Sequence, residues 1–202
     1  YKFEELPRPL LNIDHHPDNE LFGDENHVDP KAAAASLIVF RLIRELGWKI
    51  SPRTATLLLT GIIMDTGGFK FDNTSPEALE AAARLLELGA DHHLIIERMF
   101  FSKPLSHVTL ESDVMLNHLK TGLDGRYAWF FLSPDLIRKH SIDLKDTEGL
   151  IDCVRQLDGV KVAALFYLRE DGVKFSMRSK DTSVSVGAIA RRHNGGGHEL
   201  AA

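Results

Sequence analysis

Apolar residues fall into short blocks separated by polar and glycine-rich breaks, and their spacing changes part-way along the chain. The run PLLNI at 9–13 is continuous and bounded by Pro9 and a polar cluster, the pattern of a buried strand ending at Asp14. After Asp29-Pro30, KAAAASLIVFRLIRELG places its apolar residues on one helical face and closes on Gly47. A second helix is predicted from about Pro52 to Met64, delivering Asp65 at its end. NTSPEALEAAARLLELG has the syntax of a third, with Ser75 as N-cap, Pro76 at the first helical position, Glu77 in the first turn and Gly89 as stop. Further helical pattern over about 91 to 120 leads into Gly122-Leu123-Asp124-Gly125, read as the domain boundary.

Beyond it the period shortens. RYAWFFL predicts a strand, SPDLIRKH a short capped helix, and DTEGLIDCVRQLDG another, with Asp146 as N-cap and Gly159 as stop. KVAALFYLRE and GVKFSMRS, joined by Asp171-Gly172, predict a β-hairpin, because Asp-Gly supplies the positive φ angles of a tight primed turn. A last helix over about 184 to 193 runs into Asn194-Gly195-Gly196-Gly197-His198. The expected class is α/β: a parallel sheet flanked by helices over 1–121, including a connecting helix, and a smaller α/β domain over 125–202.

Composition narrows the classes. With 44% hydrophobic and 26% charged residues the 202-residue chain can bury a full core. One cysteine, Cys153, excludes an intrachain disulfide, and no apolar run approaches the roughly 20 residues needed to span a bilayer. A cytoplasmic protein without a membrane is the expectation. A net charge of -5 argues against coating long nucleic acid by phosphate neutralisation. The distribution is uneven: acidic residues dominate 1–30, which suits cations, whereas basic residues outnumber acidic ones over 169–202, which suits phosphate.

Three segments carry chemistry. Asp14, His15 and His16 follow the end of a predicted buried strand, where open α/β sheets place ligands and metals. An imidazole can bind a metal through one nitrogen while a carboxylate orients the other. The tripeptide alone is weak evidence, since it recurs at Asp91, His92 and His93. There Asp91 reads as an N-cap and the histidines as first-turn surface residues. In GIIMDTGGFKFDNTSPE, Asp65 emerges from an apolar wall, the glycines allow close approach, and the Thr66 hydroxyl could hold a phosphate or carboxylate oxygen. Three consecutive glycines at 195–197 exceed what a helix cap needs; successive N–H groups can cradle an anion, and His198 can meet a phosphate or a base edge.

Together NIDHHPDN, MDTGGFKF, FSMRS around Arg178 and NGGGH resemble the DHH and DHHA1 domains of the DHH phosphoesterase superfamily, over essentially the whole chain. DTEGLIDCVRQLDGVKVAALF and VKFSMRS are most similar to the branch of bacterial oligoribonucleases that also dephosphorylate adenosine 3',5'-bisphosphate. The resemblance implies a hydrolase of short oligoribonucleotides or of that bisphosphate, using two divalent metal ions, Mn²⁺ by preference. It implies His15 and Asp65 as metal ligands, His16 against the scissile phosphate or its leaving oxygen, and Asp14 orienting its neighbours. It places the substrate nucleotide on Arg178, Ser179, Gly195, Gly196, Gly197 and His198. Short single-stranded RNA or a nucleotide is the expected partner, and a homodimer is left open. Histidine and aspartate ligands suit Mn²⁺ independently.

The pattern also departs from the superfamily's. Its upstream Asp-x-Asp motif and further bridging Asp do not precede Tyr1, and the chain stops soon after the glycine loop, so a fragment lacking both ends is expected. His15 and Asp65 alone are too few to hold a metal pair, so these 202 residues by themselves are expected to be inactive and the completed protein active. No aromatic stacking platform is evident, so base preference does not follow. The rival readings are another DHH-type phosphodiesterase, for cyclic dinucleotides or single-stranded DNA, and a nucleotide-binding module without chemistry.

Overall fold

The predicted first strand is Leu11–Asp14 (β1), and it pairs in parallel with Glu25–Val28 (β2), Asp14 lying opposite Val28. The polar string ENHV gives β2 no strand signal, and it forms because the hydrogen-bonding edge of β1 is there to receive it. The computed structural model describes residues 6–143, 147, 149–170 and 172–202. The chain divides into two units, between Ser102 and Lys103.

In the first unit, Ala35–Glu45 (α1), Pro52–Asp65 (α2), Pro76–Glu87 (α3) and His92–Phe100 (α4) supply the core. Leu37, Leu59, Ile62, Ile63 and Leu85 form its fully buried centre, and alanines at 55, 78, 81 and 82 let the helices approach closely. Gly61 shows how closely: a Cβ there would come within 2.6 Å of Ser36 Oγ on α1. The caps follow local chemistry. Ser51 and Ser75 accept from the backbone N–H of Thr54 and Ala78, with Pro52 and Pro76 at the first helical positions.

α1 begins at Ala35, four residues later than Lys31, where the apolar pattern starts. Ala32, Ala33 and Ala34 form a buried segment ahead of it. Asp29 and Arg41 fix that segment. Arg41 Nη1 donates to Asp29 Oδ2 at 2.6 Å, while its Nε and Nη2 grip both carboxylate oxygens of Glu77 at the start of α3. The hydrogen bonds from Arg41 hold both carboxyls below their ordinary range. Groups with lowered folded pKa values stabilise above their unfolded values, near pH 4, and the contribution is lost as pH falls further. Arg41→Met should therefore lower the urea midpoint at pH 7 but make little difference at pH 2.5; an equal loss at both would refute the coupling.

In the second unit a four-stranded sheet has the order Lys120–Gly122 (β3), Tyr127–Leu132 (β4), Val162–Arg169 (β5) and Gly172–Ser179 (β6). β4 and β5 are parallel; the outer pairs are antiparallel. Gly122–Gly125, read from sequence as the domain boundary, spans the end of β3 and the turn into β4. One face of the sheet, carrying Ala128, Phe130, Leu132, Ala163 and Leu165, is covered by Leu105–Asp113 (α5), Pro134–Lys139 (α6) and Leu150–Arg155 (α7). A π-helical turn over Val114–His118 extends α5. On the other face Val162 and Met177 pack against Val186 of the last helix, Val186–Arg191 (α8).

The predicted hairpin is β5–β6, although Asp171 of its turn lies outside the described residues. So does Asp146; the described helix starts at Leu150 behind Gly149, whose φ is +84°. No helix among the described residues is long and apolar enough to cross a membrane.

Candidate active site

β1 ends at Asp14, and the loop that leads on to β2 begins with His15 and His16. The two rings contact edge to face at 4.8 Å. Their nitrogens are assigned by partners that can only accept. His15 is buried, and its Nδ1 lies 3.2 Å from the carbonyl oxygen of Ala32, so Nδ1 carries the proton and Nε2 is the nitrogen that could bind a metal. Nε2 faces Asp65 Oδ2 at 3.5 Å. His16 donates from Nδ1 to Asp14 Oδ1 at 2.7 Å.

Asp14 accepts far more than one bond. Oδ1 also receives the backbone N–H of His15 and of His16, and Oδ2 receives Asn19 Nδ2 at 2.6 Å. Partial burial opposes ionisation, but the bonds from His16, Asn19 and the two backbone groups outweigh it and hold the carboxyl at about 2. Behind Asn19 stands an amide network that sequence reading missed. Asn12 Nδ2 donates to Asn19 Oδ1 and to Asn26 Oδ1, and Asn26 is tied to both backbone groups of Gly23. A signal was present: Asn12 interrupts an apolar strand, and a buried amide must find partners.

Asp65 arrives from α2. Gly67 and Gly68 follow it at φ +59° and +70°, with Phe69 at +64°. Glycine at 67 is required twice over, because a Cβ there would strike the Phe71 ring at 2.3 Å. The Thr66 hydroxyl does not face a ligand as the sequence suggested: it is buried, donates to the Ile62 carbonyl at 2.6 Å and accepts from Phe69 N–H. A β-branched hydroxyl at a helix end satisfies the backbone before it can serve a substrate. Asn73, assigned no role from sequence, donates to the carbonyls of Ala33 and Asp65. The Ala32–Ala33 segment thus positions His15 from one side and the Asp65 backbone from the other.

The second Asp-His-His string lies elsewhere in this unit. Asp91 accepts from Leu94 N–H at 2.9 Å as the N-cap of α4, and His92 and His93 are exposed in its first turn.

In the second unit, Arg178 stands on β6 opposite Ala163, on the face covered by α7. Its guanidinium donates to the Met177 carbonyl at 2.9 Å. Burial pushes its pKa down, the Asp152 charge pulls it up, and Arg155 pushes it down again. Residues 200–202 run beside β6: Met177 N–H donates to the Ala202 carbonyl and Ser179 N–H to the Leu200 carbonyl. Arg178 and His198 both form bridges to Ala201, which brings them together. Ser179 faces the opposite way, its hydroxyl engaged with the backbone of Asp181. Gly195 donates its N–H to the Ala190 carbonyl and so caps α8, while Asn194 turns the chain at φ +58°. Gly196 and Gly197 carry the chain on to His198, and Gly197, at φ +121°, admits no side chain because a Cβ would meet the Ala201 carbonyl at 2.7 Å.

Residues 125–202 match the family model described as the DHHA1 domain. Over 193 residues the chain is 37% identical to the bifunctional oligoribonuclease and PAP phosphatase NrnA of Thermus thermophilus, covering 96% of this chain and 57% of that protein. Residues 125–202 belong to the DHHA1 domain family. The NrnA of Bacillus subtilis is 29% identical over 195 residues, covering 95% of this chain and 61% of that protein. Among solved structures, an exopolyphosphatase-related protein from Bacteroides fragilis superposes with a TM-score of 0.85 at 28% identity, over 95% of this chain and 56% of that one. The chain thus spans about three fifths of the length of these curated relatives. The matched DHHA1 segment carries Arg178 and the glycine loop at 195–197.

Proposed function

We propose that the protein is a metal-dependent phosphoesterase acting on short oligoribonucleotides or on adenosine 3',5'-bisphosphate. The observation that carries this reading is the convergence of His15 Nε2 on Asp65 Oδ2 at 3.5 Å, with the tautomer of His15 set by the Ala32 carbonyl. An imidazole lone pair beside a carboxylate oxygen is a fitting donor set for a divalent cation such as Mn²⁺. Bound there, the cation would supply Lewis-acid polarisation of a phosphoryl oxygen and acidification of water. The rest falls to the protein's own groups. Asp14 holds His16 by Nδ1, so the ring can give a proton from Nε2 to the departing oxygen as water bonds to phosphorus and the P–O bond breaks. In the DHHA1 domain, Arg178 and His198 hold the nucleotide; Ser179 and Gly195 support them by shaping the end of β6 and the cap of α8. The names of the relatives supply the substrate class.

The test is hydrolysis of a dinucleotide and of the bisphosphate by the full-length protein, stripped with chelator and titrated with Mn²⁺. Turnover should vanish on stripping and return with metal; full activity in excess chelator would reject the reading. A charge-assisted bond to phosphate contributes about 1.5 to 3 kcal/mol, roughly tenfold to a hundredfold in affinity. Arg178→Ala should accordingly raise KM for a dinucleotide by that factor and leave kcat on a small generic phosphodiester nearly unchanged. Unaltered kinetics on both substrates would remove Arg178 from the site.

A further inference from the structure

Phe100 closes α4 with 41% of its surface exposed. Its ring lies against the backbone of Gly68, where a Cβ would come within 3.2 Å of the ring. Lys70 Nζ stands over that ring, 5.9 Å from its centroid. Both side chains therefore belong to the turn that follows Asp65. Three peptide units cannot separate Gly68 from Asp65 by more than about 11 Å. The turn is also tied down, since Gly67 and Gly68 donate to the carbonyls of Met64 and Ile63. Core packing does not explain the ring. Ile95, earlier on the same helix, is 3% exposed and already anchors α4, whereas Phe100 leaves much of an aromatic surface in water.

A π face and an ammonium on the turn that follows a phosphate-handling carboxylate are the components of a stacking subsite. The ring accepts any base, and the cation meets the adjoining phosphate. We infer that Phe100 and Lys70 form a nucleobase-stacking subsite beside Asp65, for the nucleotide flanking the reacting phosphate. The inference rests on the reading of Asp14, His15, His16 and Asp65 as the phosphate-handling cluster.

The experiment measures binding without turnover: calorimetric titration of adenosine 5'-monophosphate and of ribose 5-phosphate into the full chain, with chelator present. The base should improve the Kd by roughly fivefold to a hundredfold in the unmodified chain. Phe100→Ala and the similarly bulky Phe100→Leu should abolish most of that advantage, and Phe100→Trp should keep it. Lys70→Ala should weaken both ligands alike. An advantage that survives in Phe100→Ala, or that is lost equally in Phe100→Trp, overturns the subsite. Failure of the enzymatic reading looks different: no phosphoester is hydrolysed with any metal, yet the base advantage still depends on Phe100.

Discussion

His15→Ala and Asp65→Asn should each lower Mn²⁺-dependent hydrolysis of a dinucleotide by about two orders of magnitude or more, since even loss of a partner behind a ligand costs about tenfold to a hundredfold. Each change removes one of two donor atoms that lie 3.5 Å apart. His15→Ala also leaves the Ala32 carbonyl without the ring nitrogen that faces it. Asp65→Asn keeps the shape of the α2 terminus and replaces a charged oxygen by a neutral amide. Manganese binding followed by electron paramagnetic resonance should weaken in both variants, separating loss of a ligand from misfolding. His92→Ala and His93→Ala are the controls, because those rings sit on the exposed first turn of α4. Near-normal turnover by His15→Ala, or a matching loss in the controls, would mean that the other copy of the motif bears the chemistry.

The second large effect concerns proton transfer. His16→Ala should lower kcat by about two to four orders of magnitude if the ring serves as general acid. Asp14→Asn should cost about tenfold to a hundredfold, since the amide must both accept from His16 and satisfy two backbone N–H groups that now meet one carboxylate oxygen. The discriminating substrate is one with a good leaving group, such as a nitrophenyl ester, which needs no proton on departure. It should be hydrolysed by His16→Ala far better, relative to the unmodified protein, than a dinucleotide is. Equal losses on the two substrates would assign His16 to binding the phosphate and remove the proton from its role.

What local chemistry determines was readable without coordinates. Ser51 and Ser75 cap their helices and Pro52 and Pro76 start them, while Asp91 caps α4. The parallel or antiparallel sense of pairing was partly readable: β5–β6 follows from Asp-Gly between two alternating runs, but β2 and β3 are too short and polar to announce themselves. Their existence depends on an edge offered by another strand.

The site needed long-range contacts. Of the two identical Asp-His-His strings, the second announces its helix cap locally, but only packing shows that the first places an imidazole against Asp65. The protonated nitrogen of His15 is decided by a carbonyl 17 residues away. The inward turn of the Thr66 hydroxyl follows from the helix end it must satisfy. The stacked amides of Asn12, Asn19 and Asn26 exist because a parallel pairing sets residue 12 beside residue 26. A ring from α4 reaches the Asp65 turn only because α2 and α4 share a core. Caps, turns and periodicity are properties of neighbours in the chain. Ligand geometry, tautomers and buried polar networks arise between residues that folding alone brings within hydrogen-bonding distance.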